Sequence, residues 1–194
     1  GCKELNDWVQ QTAKAHFANG KLVAIVGGDH STPLGLIKAV GEQFGDFGIL
    51  QIDAHADLRE AYEGFVYSHA SIMYNVLKEV PQMKKLVQVG VRDFCDEEYE
   101  LIQKESRIKT YFDQGIKERI YEGDSWKMIC DEIIEQLPPL VYISFDIDGL
   151  DPKLCKNTGT PVQGGFEAEQ IQYLFKKLVA SGRRIIAFDL NEVE

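Results

Sequence analysis

The chain has 194 residues, 44% of them hydrophobic, and a formal charge of −10. That size suits one domain, residues 1–194, with a sizeable core, and the acid excess excludes nucleic-acid binding through a basic face. It suits a solvated surface and draws cationic ligands towards a cleft. Cys2, Cys95, Cys130 and Cys155 are scattered without a CxxC spacing, which predicts reduced thiols in a cytosolic compartment. No run reads as a signal peptide or a membrane span. A cytoplasmic protein with no nucleic-acid or membrane partner is expected.

In chain order, residues 2–18 predict a helix with Leu5, Trp8, Val9, Thr12 and Ala13 on one stripe and Gly20 as its stop. Leu22 to Val26 predicts a short strand broken by Gly27-Gly28. Thr32-Pro33 suits an N-cap and first helical residue, with Leu34, Ile37 and Val40 facing the core. Ile49 to Ile52 reads as a buried strand, His69 to Val80 as a helix stopped by Pro81, and Leu86 to Val91 as a third strand. Asp96-Glu97-Glu98 opens a helix with acids where the dipole prefers them. Ile108 to Phe112 is a weaker strand. Ser125 to Leu137 is an amphipathic helix, Leu140 to Phe145 a strand, and a helix with Ile171, Leu174, Phe175, Leu178 and Val179 inward ends at Gly182. Ile185 to Leu190 is the last strand. Strands alternating with helices imply right-handed crossovers and a mainly parallel sheet covered on both faces, a three-layer α/β/α architecture.

Ligands of such sheets bind beyond the carboxyl ends of the strands, and the chemistry-bearing residues fall there. His30, Asp53–Asp57, Asp146/Asp148 and Glu192 each follow a strand end. In an extended Asp53-Ala54-His55-Ala56-Asp57, alternate residues share a face, so both carboxylates and the imidazole can converge. Gathered in apolar surroundings, they need a cation between them. His30, Asp53, His55, Asp57, Asp146 and Asp148 together offer two imidazoles and four carboxylates. This oxygen-rich set suits Mn²⁺, Fe²⁺ or Co²⁺ better than a structural zinc. Six ligands exceed what one ion needs and carboxylates bridge, so two ions and hydrolytic chemistry are implied. His69, at the start of a helix within reach of this set, is a candidate proton shuttle. Glu192 is a candidate partner for a cationic substrate group. Singly each motif has a structural explanation: Asp146/Asp148 reads equally as a turn or cap, and Asp151-Pro152 is turn chemistry.

Gly27-Gly28-Asp29-His30-Ser31, Asp53-Ala54-His55-Ala56-Asp57 and Ser144 to Pro152 resemble, in order and spacing, the three signature motifs of the ureohydrolase (arginase/agmatinase) family. Thr158-Gly159-Thr160-Pro161 with Gly164-Gly165, and Asp189 to Val193, resemble two further segments. The resemblance implies an arginase-like fold and a dimanganese centre. By it, Asp53 and Asp146 bridge the ions, His30 and Asp57 complete one, and His55 and Asp148 the other. A bridging hydroxide, oriented by Asp57, attacks the guanidinium carbon; His69 shuttles the proton and Glu192 pairs with the guanidinium. The products are urea and an amine. Trimers or hexamers of the chain are also implied.

The segment from Asp57 through Arg59, Tyr62 and Gly64 to Ala70 resembles the agmatinase branch, and places Arg59 with His69 and Glu192 among the substrate-binding residues. Phe94-Cys95 stand where arginases carry a second acid for the substrate's α-amino group. Both point to agmatine. Thr160 to Gly165 is more arginase-like, which keeps arginase and formimidoylglutamase activity as alternatives, beside a non-catalytic homologue or fragment serving as a binding or assembly module. Against the family pattern the chain is expected to be partial, lacking elements before the first motif and after Glu192.

Overall fold

The computed structural model describes residues 1–193; the final residue, read as part of the tail after the last strand, lies outside them. The elements follow in the order α1 (Cys2–Ala18), β1 (Val23–Val26), α2 (Leu34–Phe44), β2 (Phe47–Ile52), α3 (Ile72–Glu79), β3 (Met83–Val89), α4 (Asp96–Lys104), β4 (Ile108–Tyr111), α5 (Asp113–Tyr121), α6 (Trp126–Glu135), β5 (Leu140–Asp146), α7 (Ala168–Ala180) and β6 (Arg184–Asn191). Among the described residues the strands form one sheet, ordered β1-β6-β5-β2-β3-β4, in which every pairing is parallel. Parallel sheets buried on both faces need apolar strands, and all of β2 is buried accordingly.

Two cores flank the sheet. Ala13 and Phe17 of α1, Ile37 and Val40 of α2, Ile72 and Val76 of α3 and Ile102 of α4 pack on one face. Ile116 of α5, Ile129 and Ile133 of α6 and Leu174 and Leu178 of α7 pack on the other. From β2 the chain winds outward through β3 and β4 with helices on the first face, then returns through β5 and β6 with helices on the second. The reversal lies between β2 and β5, and a crevice opens beyond the carboxyl ends of neighbouring strands at such a point.

Several local expectations need correction. The buried face of α1 is Asn6, Ala13 and Phe17, while Leu5 and Trp8 are exposed. The helix must turn this way because Gly35 of α2 packs against its backbone. A Cβ on Gly35 would sit 2.2 Å from the Asn6 carbonyl oxygen. Gly35→Ala is therefore expected to destabilise the fold by about 1–3 kcal/mol, read as a lowered midpoint in urea unfolding. Thr32 does not cap α2; its hydroxyl bonds Asn191 Oδ1 at 3.3 Å and Pro33 is the capping residue. His69–Ser71 form a 3₁₀ turn ahead of α3, and Val179 faces outward from α7. Helix α5 was not expected, because its apolar residues are too sparse to set up a helical period.

Candidate metal centre

The crevice between β2 and β5 gathers all six candidate ligands. Asp53 follows β2, Asp146 ends β5, and Asp148 sits one turn later, with the Asp146 carboxylate accepting the Asp148 amide at 2.9 Å. Gly149 lets this turn press on β2: a Cβ there would lie 2.9 Å from the Asp53 amide nitrogen. Asp148 Oδ1 accepts the Ala54 amide at 3.0 Å, so the two strand ends are tied by their own site residues.

Asp53, His55 and Asp57 converge, but not by alternation along a strand. The strand stops at Ile52, and Asp57 adopts φ +54°, the left-handed region that a Cβ disfavours. Its carbonyl accepts the Met73 and Tyr74 amides at 3.0 and 3.2 Å, which fixes this turn to the start of α3. The result is two groups instead of one face. His30 Nδ1 lies 3.3, 3.1 and 3.2 Å from Oδ2 of Asp53, Asp57 and Asp146. His55 Nδ1 lies 3.0 Å from Asp148 Oδ2 and 3.6 Å from Asp53 Oδ1. His30, Asp53 and Asp57 form one geometry able to hold an ion, and Asp53, His55 and Asp148 a second. Asp53 belongs to both, one oxygen facing each.

The electrostatics are those of a site built for cations. Burial and the neighbouring Asp53 charge push Asp57 up to about 7 and Asp146 to about 9. Burial opposes a charged His55, yet Asp148 and Asp53 hold its pKa up at about 11; Asp146, Asp53 and Asp57 likewise raise His30 against burial. His30 Nδ1 and Asp57 Oδ2 are buried without a hydrogen-bond partner among the described residues. Orphaned buried donors and acceptors are costly, and a metal ion would satisfy both. The donor set therefore fits a hard divalent cation.

The tautomer of His30 is fixed from behind. Ser144 Oγ donates to Asp189 Oδ1 at 3.0 Å, so it accepts from His30 Nε2 at 2.8 Å. Once the ring gives up its Nδ1 proton, as a ligating histidine must, the Nδ1 lone pair faces the space between the carboxylates where an ion would sit. Asp189 is further bonded by Tyr142 Oη and by Asn191 Nδ2.

The remaining predicted residues lie around this centre. Glu192, half-buried and at φ +58°, accepts the His30 amide through Oε1 at 2.8 Å, leaving Oε2 for another partner. It lines a neighbouring hollow with Ile147 and Thr158 instead of the cavity that holds His69. His69, Arg59, Tyr62, Asp93 and Thr160 line a cavity of about 200 Å³ that reaches His55 and Asp57. His69 Nδ1 is 3.4 Å from Asp29 Oδ2, which raises its pKa, and its ring meets Tyr62 edge-on at 5.4 Å. Arg59 sits over the Tyr62 ring with its Nε 3.6 Å from the buried Glu98. Asp29, Ser144 and Asp189 escaped the residue-by-residue reading. All three stand inside segments that resemble the family, but none was assigned a role from the sequence.

The sequence model of the arginase family matches residues 2–194. The chain belongs to the arginase family. It is 36% identical over 192 residues to an N(1)-aminopropylagmatine ureohydrolase of Thermus thermophilus, covering 98% of this chain and 61% of that protein. It is 29% identical to an agmatinase of Escherichia coli, covering 98% and 58%. The native arginase of Bacillus caldovelox superposes with a TM-score of 0.85 at 23% identity, covering all of this chain and 68% of the arginase. This arginase-family chain thus spans about three fifths of the length of the named relatives, with the family's three-layer α/β/α fold. Among the described residues no helix is long and apolar enough to cross a membrane, and all four cysteines are free.

Proposed function

We propose that the chain is the catalytic part of a Mn²⁺-dependent ureohydrolase, which hydrolyses a linear guanidino compound ending in an amine to urea and the freed amine. Agmatine, giving putrescine, or its N(1)-aminopropyl derivative is the substrate. The observation that carries the reading is the pair of ligand groups sharing Asp53. His30 and Asp57 would complete one ion's sphere and His55 and Asp148 the other's, with Asp146 and Asp53 between them. Two such ions, when bound, would lower the pKa of a water and so supply hydroxide as the nucleophile near neutral pH.

The chain's own residues supply the rest. Asp57 Oδ2, unpaired in the crevice, accepts a hydrogen bond from the attacking water and orients it. Glu192 Oε2 takes the guanidinium by a charge-assisted hydrogen bond. His69, whose pKa the hydrogen bond to Asp29 raises, donates a proton to the leaving amine. Arg59 is already neutralised by Glu98, so it and Tyr62 bound the outer substrate cavity without repelling a cation. Asp93, largely exposed at that cavity, can meet a distal ammonium. The names of the Thermus thermophilus and Escherichia coli relatives support a substrate with an amine tail.

The test is urea release by Mn²⁺-loaded protein from agmatine, N(1)-aminopropylagmatine, arginine and guanidinobutyrate, with formamide release from N-formimidoylglutamate. The amine-tailed substrates are expected to exceed the others in kcat/KM by roughly tenfold or more. Turnover confined to arginine would overturn the substrate assignment, and failure to bind Mn²⁺ would return the chain to a binding or assembly role.

A further inference from the structure

Two glutamines lie fully buried in the middle of the sheet at 0% exposure, Gln51 on the otherwise apolar β2 and Gln88 in the buried Leu86–Val89 stretch of β3. They are register partners, and Gln88 is in turn the register partner of Thr110 on β4. The three form one chain of hydrogen bonds. Thr110 Oγ1 donates to Gln88 Oε1 at 2.8 Å, Gln88 Nε2 to Gln51 Oε1 at 2.8 Å, and Gln51 Nε2 to Asp53 Oδ2 at 2.8 Å.

The direction of this chain follows from chemistry. Gln88 Nε2 also lies 2.7 Å from the Ala56 carbonyl oxygen, which can only accept. The Gln88 atom facing it must be the amide nitrogen, so the Gln51 atom facing Gln88 must be the oxygen. The Gln51 nitrogen is thereby turned towards Asp53, whichever way either amide is first assigned. A strand in this position would be cheaper to bury with aliphatic side chains, since a buried amide gains little beyond meeting its own desolvation cost. Its two amides are instead spent on one oxygen of Asp53 and on the carbonyl between His55 and Asp57.

We propose that Gln51 is a positioning residue for the metal centre: oriented by Gln88 on the neighbouring strand and by Thr110 on the strand beyond it, it holds the Asp53 carboxylate so that each oxygen faces one ligand group. Asp53 Oδ1 is fixed by the His55 amide at 2.7 Å and Oδ2 by Gln51, so rotation of the carboxylate breaks two bonds at once. The inference rests on the metal reading above and adds residues that are not themselves ligands, Gln51 in contact with Asp53 and Gln88 and Thr110 behind it. Partners of this kind affect metal affinity by about 10–100-fold.

The experiment is calorimetric titration of the metal-free protein with Mn²⁺ alone, beside its thermal midpoint without metal. Gln51→Met keeps the length and burial but has no donor, and is expected to weaken Mn²⁺ binding by about 10–100-fold. Gln88→Met, acting through Gln51, is expected to weaken binding less, and the double variant no further than Gln51→Met alone. A merely structural role would lower the metal-free midpoint and leave the affinity of the folded protein unchanged, and that result overturns the proposal. Equal, additive losses from the two variants overturn the relay through Gln88. If Gln51→Met does not fold, Thr110→Val carries the test at the far end of the chain. A loss of about two- to tenfold supports the proposal and unchanged affinity overturns it. Absence of Mn²⁺ binding in the parent protein would instead remove the metal reading itself, and this inference with it.

Discussion

Asp53→Asn is expected to abolish Mn²⁺ binding at both ligand groups and to lower urea release by roughly 10³-fold or more. The size follows from losing several kcal/mol of metal-derived stabilisation at about 1.36 kcal/mol per tenfold in rate. The substitution is nearly isosteric, but it puts an amide N–H₂ where one carboxylate oxygen faces a ligand group, and a donor pointed at a cation repels it. Both groups are affected because His30 Nδ1 approaches one oxygen of Asp53 and His55 Nδ1 the other. His55→Asn provides the contrast: it belongs to one group only, so Mn²⁺ should still bind at the His30 group. Metal content after gel filtration and calorimetric stoichiometry measure both. An Asp53→Asn protein that bound as much Mn²⁺ as its parent would end the reading of Asp53 as the shared ligand.

The parts of this centre that were legible in the sequence are those in which one stretch of chain carries its own evidence. Asp53, His55 and Asp57 follow an apolar strand in close succession, and Asp146 and Asp148 do the same after β5. In a parallel sheet, residues just past a strand's carboxyl end must share one rim, so co-location could be argued without coordinates. The manner of convergence could not. The left-handed turn at Asp57 is imposed by the start of α3, and it divides the ligands into two groups where alternation along a strand would have given one face.

What was illegible depends on register between strands distant in sequence. Gln51, Gln88 and Thr110 look like isolated polar interruptions until the pairing of β2 with β3 and of β3 with β4 aligns them, and the contact of Ser144 with Asp189 emerges only from the pairing of β5 with β6. Helix α5 was missed for a related reason. Only Asp113 and Ile116 of its residues are buried, so its sequence shows no apolar stripe, and it is held between β4 and α6 by tertiary contacts. On α1 the stripe of Leu5, Trp8, Val9, Thr12 and Ala13 is only partly covered: Ala13 is buried and Val9 packs against the core. Leu5 and Trp8 remain exposed beside the uncovered edge strand β1, where Val26 is 75% exposed.

Glu192→Gln is expected to reduce kcat/KM by roughly 10²–10³-fold while leaving Mn²⁺ binding intact. Removing one partner of a desolvated charge pair costs about 2–5 kcal/mol, and tenfold corresponds to about 1.36 kcal/mol. The choice of Gln matters because Glu192 has two duties in the geometry. Its Oε1 accepts the His30 amide at 2.8 Å, and its own amide donates to the Gly28 carbonyl at 2.8 Å, which holds β6 against the turn that carries His30. A glutamine keeps an oxygen for the His30 amide and removes only the charge available to a guanidinium. Alanine would remove both and leave the His30 amide without its acceptor. Comparing the two variants therefore separates the roles: the loss common to both reports the substrate's charge, and any further loss of Mn²⁺ affinity in Glu192→Ala reports the support of His30. If Glu192→Gln lost Mn²⁺ binding together with activity, Glu192 would belong to the support of the metal centre and the guanidinium would need another acid.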